Sequence, residues 1–293
     1  MKGMIKDSAT GVPLTEVKIT LVSSESEALK YELHSDKKGG FYKSGLTPGI
    51  YKALFEREGY LPLSVSIRVK LDDTANLEIQ LDQAQSTSSD SMELIRKGLK
   101  LLEAGKYEEV ITNFAEAISL DPSNPIFYYY RAVSLEKNGK TEKALEDYQK
   151  AVELKANFIM PLSRAGIIFG KRGDFEKAIE FYRKAVDLGD KDPSTYYNYG
   201  VCLVNLGRSP EAQDIFEKLL NLDPLYSDAY YQLGIIYIGL GETSKAKEHL
   251  LKFIEIDPEN KNVPLAKEIL KTLKEPFLGR SLGASPRARI HFL

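Results

Sequence analysis

Few residues in this chain could ligate a metal or attack a substrate, and their spacing works against both. There are three histidines, His34, His249 and His291, and a single cysteine, Cys202. One cysteine excludes an intrachain disulfide and any metal site built on several thiolates. A catalytic thiolate needs a base beside it, and no histidine lies in the segments flanking Cys202, so a packing role is expected. His34 sits beside "SDKKGG" near a strand end and reads as a surface or satisfied histidine, as do His249 and His291. The glycines of "DKKGG" lack the strand–loop–helix setting of a phosphate-binding loop. The expectation is no catalytic constellation, no metal and no cofactor.

Composition narrows the classes further. A chain of 293 residues holds about two domains at roughly 150 residues each. Its net charge of −2 gives no general field for nucleic acid or an anionic membrane. Nowhere do about 18 apolar residues run together, so no membrane-spanning helix is written and no membrane insertion is expected. The opening "MKGMIKDSATGV" has no apolar stretch of signal-peptide length. The chain as it stands reads as cytoplasmic, or as periplasmic or cell-envelope if an N-terminal signal is missing.

Two sequence periods divide the chain. "EVKITLVS", "YKALFER", "LSVSIRVK" and "ANLEIQL" alternate apolar and polar residues, with Val17, Ile19 and Leu21 on one face and Lys18 and Thr20 on the other. Turn signals such as "SATGVP", "DKKGG" and "LTPG" punctuate them, which predicts a small β-sandwich over 1–82. "DQAQSTSSDS" has no large apolar residue, and 83–90 reads as a flexible linker. Beyond it the period becomes helical and the chain repeats every 34 residues, over 91–124, 125–158, 159–192, 193–226 and 227–260.

The repeat is carried by several places at once. Place eight is Gly98, Ala132, Gly166, Gly200 and Gly234; place fifteen is Gly105, Gly139, Gly173, Gly207 and Gly241. Place twenty is Val110, Ala144, Ala178, Ala212 and Ala246; place twenty-four is Phe114, Tyr148, Tyr182, Phe216 and Leu250. Small residues at eight and twenty let paired helices approach, the bulky residue fills the space between repeats, and the glycine at fifteen ends the first helix in a left-handed conformation. Pro122, Pro224 and Pro258 end second helices, with Ala156 and Asp190 in that place in repeats two and three.

This pattern resembles the tetratricopeptide repeat (TPR) family, five copies without an insertion. "VPLAKEILKTLK" then reads as a closing helix over 261–274, and 275–293 as a disordered tail. The first domain is similar to the carboxypeptidase regulatory-like domain, through Asp36, Gly39 and Phe41, then Leu46, Pro48, Gly49 and Tyr51. That resemblance implies a seven-stranded, transthyretin-like sandwich. It implies no peptidase chemistry, because the peptidase it accompanies needs a His-x-x-Glu pair that this chain lacks. The fold expected is an N-terminal β-sandwich followed by an α-α superhelical solenoid.

In the TPR family, places two, five, six, nine and twelve of each first helix line a concave groove. Here they would supply Tyr129, Val133, Arg164, Ile167, Tyr197, Asn198, Val201, Tyr231, Gln232 and Ile235, an aliphatic floor with tyrosines along it. The Lys and Asn that clamp a carboxylate at places five and nine in chaperone-tail sites are absent from those places. The bland alternative is that these tyrosines only pack against neighbouring helices. The expected function is a non-enzymatic adaptor that holds a partner protein's peptide or helix. The alternatives are an exported envelope component whose sandwich binds carbohydrate or supports assembly, and a regulatory subunit of a separate enzyme.

Overall fold

The computed structural model describes residues 1–24, 29–69, 76–81, 83 and 89–273. The chain forms two compact units, Met1–Ala144 and Leu145–Leu293. The tail 275–293, with His291, and residues 84–88 of the expected linker lie outside the described residues.

The first unit opens with seven strands: β1 (Lys2–Asp7), β2 (Lys18–Ser23), β3 (Lys30–His34), β4 (Gly40–Tyr42), β5 (Gly49–Glu56), β6 (Leu63–Val69) and β7 (Asn76–Leu81). They form a three-stranded sheet in the order β4-β1-β7 and a four-stranded sheet in the order β3-β2-β5-β6. β1 and β7 run parallel, and the other pairs are antiparallel. The period-two reading holds in detail. Val17, Ile19 and Leu21 are fully buried in a core shared with Ile5, Tyr51, Phe55 and Leu81.

The motif residues of the sandwich hold turns. Asp36 Oδ1 accepts the N–H groups of Lys38 (2.7 Å) and Gly40 (2.8 Å), and Gly39 between them sits at φ 74°. That turn delivers Phe41 edge-on to Phe55, with ring centroids 6.0 Å apart. Tyr51 is fully buried, and its hydroxyl donates back to the Thr47 carbonyl at 3.1 Å. Asp7, buried at the end of β1, gathers five donors. Oδ1 accepts from the amides of Ala9 and Thr10 and from the Thr10 hydroxyl, and Oδ2 from Gln83 Nε2 (2.6 Å) and the Tyr60 hydroxyl (3.0 Å). These bonds, Gln83's foremost, hold the Asp7 carboxyl far below the ordinary aspartate range. Gln83, read from sequence as linker, is therefore bound into the sandwich, and Ser89 and Asp90 already belong to the first helix.

The helices come in pairs. α1 (Ser89–Glu103) and α2 (Tyr107–Leu120) precede α3 (Pro125–Lys137), and α4 (Thr141–Leu154) leads into the second unit. There α5 (Ile159–Arg172), α6 (Phe175–Asp187), α7 (Pro193–Asn205), α8 (Ser209–Leu222), α9 (Ser227–Gly239) and α10 (Thr243–Ile256) are closed by α11 (Val263–Thr272). Place fifteen ends every first helix as expected, its glycines lying at φ between 69° and 83°. In each case the next residue's amide reaches back to the carbonyl five residues earlier, as from Arg208 to Leu203 at 2.9 Å, so the last carbonyls are satisfied. Repeat three has no proline at the end of its second helix and uses a second such cap, with Gly189 at φ 87°.

Place eight and place twenty-four meet inside one repeat. A Cβ on Gly98 would stand 2.5 Å from the Phe114 ring, on Gly166 2.6 Å from Tyr182, on Gly200 2.6 Å from Phe216, and on Gly234 2.7 Å from Leu250. The same rings then reach the following repeat: Phe114 stacks on Tyr130 (5.5 Å) and Tyr182 on Tyr199 (6.2 Å). Phe114 and Tyr182 thus fill both their own helix pair and the seam to the next repeat.

Helix propensity alone favours alanine over glycine by about 1 kcal/mol at any interior helix position. Packing reverses this at Gly200, where forcing the Phe216 ring aside costs about 1–3 kcal/mol. Gly239 has open space around it. Gly239→Ala is therefore expected to raise the unfolding midpoint and Gly200→Ala to lower it, in matched urea titrations. A second test concerns Asp7. Its depressed carboxyl contributes stability above the ordinary aspartate value, about pH 4, and that contribution fades as pH falls further. Asp7→Asn should lower the melting point at pH 7, read from the methyl NMR signals of Ile5 and Ile79. The gap to wild type should then close on acidification; a gap that ignores pH would assign Asp7 a role of shape rather than charge.

Candidate functional site

The residues with reactive chemistry sit in structural settings. Cys202 is fully buried, and burial pushes its thiol up to about 12, the opposite of an activated nucleophile. His249 lies between the rings of Tyr230 and Tyr237, with Nδ1 2.9 Å from the Lys245 carbonyl. Among the described residues no group of three or more His, Cys, Asp or Glu could hold a metal. No helix among them is long and apolar enough to cross a membrane.

The candidate surface is the groove side of the first helices. In the first unit, Tyr129 and Val133 of α3 are only 6% and 8% exposed, and Tyr129 meets the Tyr130 ring edge-on at 5.1 Å. In the second unit Tyr197 packs 5.4 Å from the Tyr226 ring and 6.1 Å from Phe216, and Tyr231 lies 5.2 Å from Phe253. Burial first, then the charge of Asp228, push the Tyr197 phenol up to about 12, with the Gln232 side chain pulling the other way. Val201, Asn198 and Gln232 are buried as well. This corrects the picture of an open trough walled by tyrosine rings: the rings are wedged between helices and belong to the core. The physical reason is the large aromatic residue that the second helix brings, Phe216 of α8 against Tyr197 and Phe253 of α10 against Tyr231.

What stays accessible is a narrower strip. Arg164, Ile167 and Ile235 are half-buried, as are Val204 and Ile238, which stand one turn beyond Val201 and Ile235 on the same helix faces. Val204 and Ile238 were not singled out from sequence, although place twelve marked them. The aliphatic residues of the strip rest against the two core clusters of this unit.

Place five of repeat three, where the neighbouring repeats have tyrosine, is Ser163, and it serves a latch. The Asp190 carboxylate accepts the hydroxyls of Ser163 (2.7 Å) and Thr195 (2.8 Å) and the Asp192 amide (2.9 Å), and the Tyr196 hydroxyl donates to the Asp190 carbonyl at 2.9 Å. Asp190 fills the place that repeats one, four and five give to proline, and it ties α5 to α7.

Family comparison matches this architecture. The carboxypeptidase regulatory-like domain model matches residues 1–82, and TPR models match 98–139, 125–158, 171–225 and 227–260. The chain is a TPR protein with an N-terminal carboxypeptidase regulatory-like domain. Its TPR repeats make it a protein-interaction scaffold, and no enzyme family is among the matches. No curated protein matches the chain. Among solved structures it is similar in fold to YrrB, described as a TPR protein with an unusual peptide-binding site. That match has 24% identity, a TM-score of 0.54, and covers 63% of this chain and 95% of YrrB. MamA from Desulfovibrio magneticus RS-1, solved from residue 41 to its end, matches at 19% identity and TM-score 0.54, covering 60% of this chain and 99% of that one. PilF of Pseudomonas aeruginosa matches at 20% and 0.55, covering 63% and 84%. At these identities the likeness concerns the TPR fold.

For this TPR protein, Tyr197 should behave as a core residue. Tyr197→Ala is expected to cost about 3–5 kcal/mol of stability, as a truncated buried aromatic does. Tyr197→Phe keeps the packed ring and removes only the hydroxyl, so it should cost less than about 1.5 kcal/mol, as volume-conserving core swaps do. Equilibrium unfolding of both variants checks this; a stable Tyr197→Ala would return the ring to the surface.

Proposed function

We propose that this TPR protein is a non-enzymatic adaptor that holds a peptide or amphipathic helix of a partner protein on the groove side of α5, α7 and α9. The observation that carries this reading is the half-buried strip of Ile167, Val204, Ile235 and Ile238, with Arg164 on one helix and Asp228 on another. Aliphatic side chains on three rigid helices offer sockets for apolar anchors, and the two charges can orient a backbone or a polar flank. A surface so low in charge favours binding that varies little with salt. The peptide-binding site named for YrrB supports the same kind of ligand.

A second reading, carbohydrate binding by the sandwich, is favoured by one feature. Tyr42 is 67% exposed on the outer side of β4, in a shallow depression with Met4, His34 and Asn76. An exposed aromatic face beside polar groups suits a sugar ring.

Capture of a partner from the source organism, followed by titration against purified variants, separates the two. Ile167→Asp and Ile238→Asp should stay folded and bind about tenfold or more weakly, the effect of losing an anchor at an interface centre. Tyr42→Ala should leave that affinity unchanged. Loss through Tyr42 with both aspartate variants binding normally would favour the sandwich.

A further inference from the structure

The first unit carries a contact that the repeat pattern does not ask for. β6 is an edge strand, so its outward amides have no ladder partner and need another acceptor. The Ser64 N–H donates to the hydroxyl of Tyr130 on α3, at 3.3 Å. Tyr130 is held firmly for this role, 2% exposed and stacked on Phe114 with ring planes 21° apart.

A second juxtaposition lies on the neighbouring repeat. Glu103, exposed at the end of α1, lies within the electrostatic reach of Lys52, Glu56 and Lys30 of the sandwich, and desolvation raises its carboxyl above the usual glutamate range against the pull of Lys52. Lys52 and Lys30 both stand opposite Val22 in their ladders, so they share the outward face of the four-stranded sheet. Val22 and Leu54 are half-buried. Tyr130 occupies place six of its repeat and Glu103 place thirteen. Seven residues are two helical turns, so both project from the same side of the first helices. In the TPR family that side is the concave one.

We propose that the sandwich is a built-in occupant of the concave side of the first two repeats, latched through Ser64 and Tyr130, and that it closes this stretch to a partner while docked. The inference uses the family's assignment of the concave side and is independent of any partner on α5, α7 and α9. It is tested on the full chain alone, at a concentration where it is monomeric, with a zero-length carbodiimide reagent that joins ammonium and carboxylate groups in contact range. A Lys52–Glu103 cross-link is expected in the wild type. Ser64→Pro removes the donor at an edge-strand amide, where proline is tolerated, and should lower the cross-link yield several-fold while the methyl signals of Ile5 and Ile79 stay in place. Tyr130→Phe keeps the stack on Phe114 but removes the acceptor, so the Ser64 amide should exchange several-fold faster. An absent cross-link in the wild type, or a yield and an exchange rate unchanged in both variants, would overturn the proposal.

Discussion

The helical part of this protein depends on one steric fit: in four of the five repeats a bulky side chain from the second helix rests on a first helix that has no side chain to obstruct it. At Gly98, Gly166, Gly200 and Gly234 even a methyl group would collide with the facing ring or branched chain. The contact sets the spacing of the helix pair. Because the same side chain also reaches the next repeat, it sets the spacing between repeats too. A one-dimensional array needs both terms, the stability of each unit and the interface to its neighbour. Here one bulky side chain at place twenty-four supplies a share of each, as Phe114 and Tyr182 do.

That economy decides what the first helices can offer to a partner. With rings such as Phe216 and Phe253 packed against them, the tyrosines of place five become part of the packing. The surface left over is aliphatic and lies one turn further along each helix. Repeat three departs from its neighbours in a coordinated way. Serine replaces the neighbours' tyrosine at place five, aspartate stands at the repeat end where repeats one, four and five have proline, and the two are hydrogen-bonded to each other. A buried carboxylate with three donors is a directional tie where proline would only have stopped the helix.

In the sandwich, polar side chains play the corresponding part. Asp7 and Asp36 accept backbone amides that tight turns leave without ladder partners, so the residues that mark the family are turn-formers. The same logic continues at the free edge of β6, where an amide without a strand to pair with meets the Tyr130 hydroxyl. An edge strand covered by a helix side chain is also shielded from pairing with another chain.

The sequence by itself determined the elements, their order and their inward faces. Periods of two and of 34 residues are imposed by local geometry, and the burial of Val17, Ile19 and Leu21 and the left-handed glycines of place fifteen were legible without coordinates. The tertiary structure alone decided which groove-side residues remain within a partner's reach. Tyr197 and Ile235 stand on the same side of their helices, yet one is wedged and the other half-exposed, because coverage depends on which side chains arrive from other helices. It also decided that Gln83 belongs to the sandwich and that Ser163 answers Asp190, pairings across 76 and 27 residues that no local pattern encodes. Periodicity fixes where a side chain points; only packing fixes what it meets.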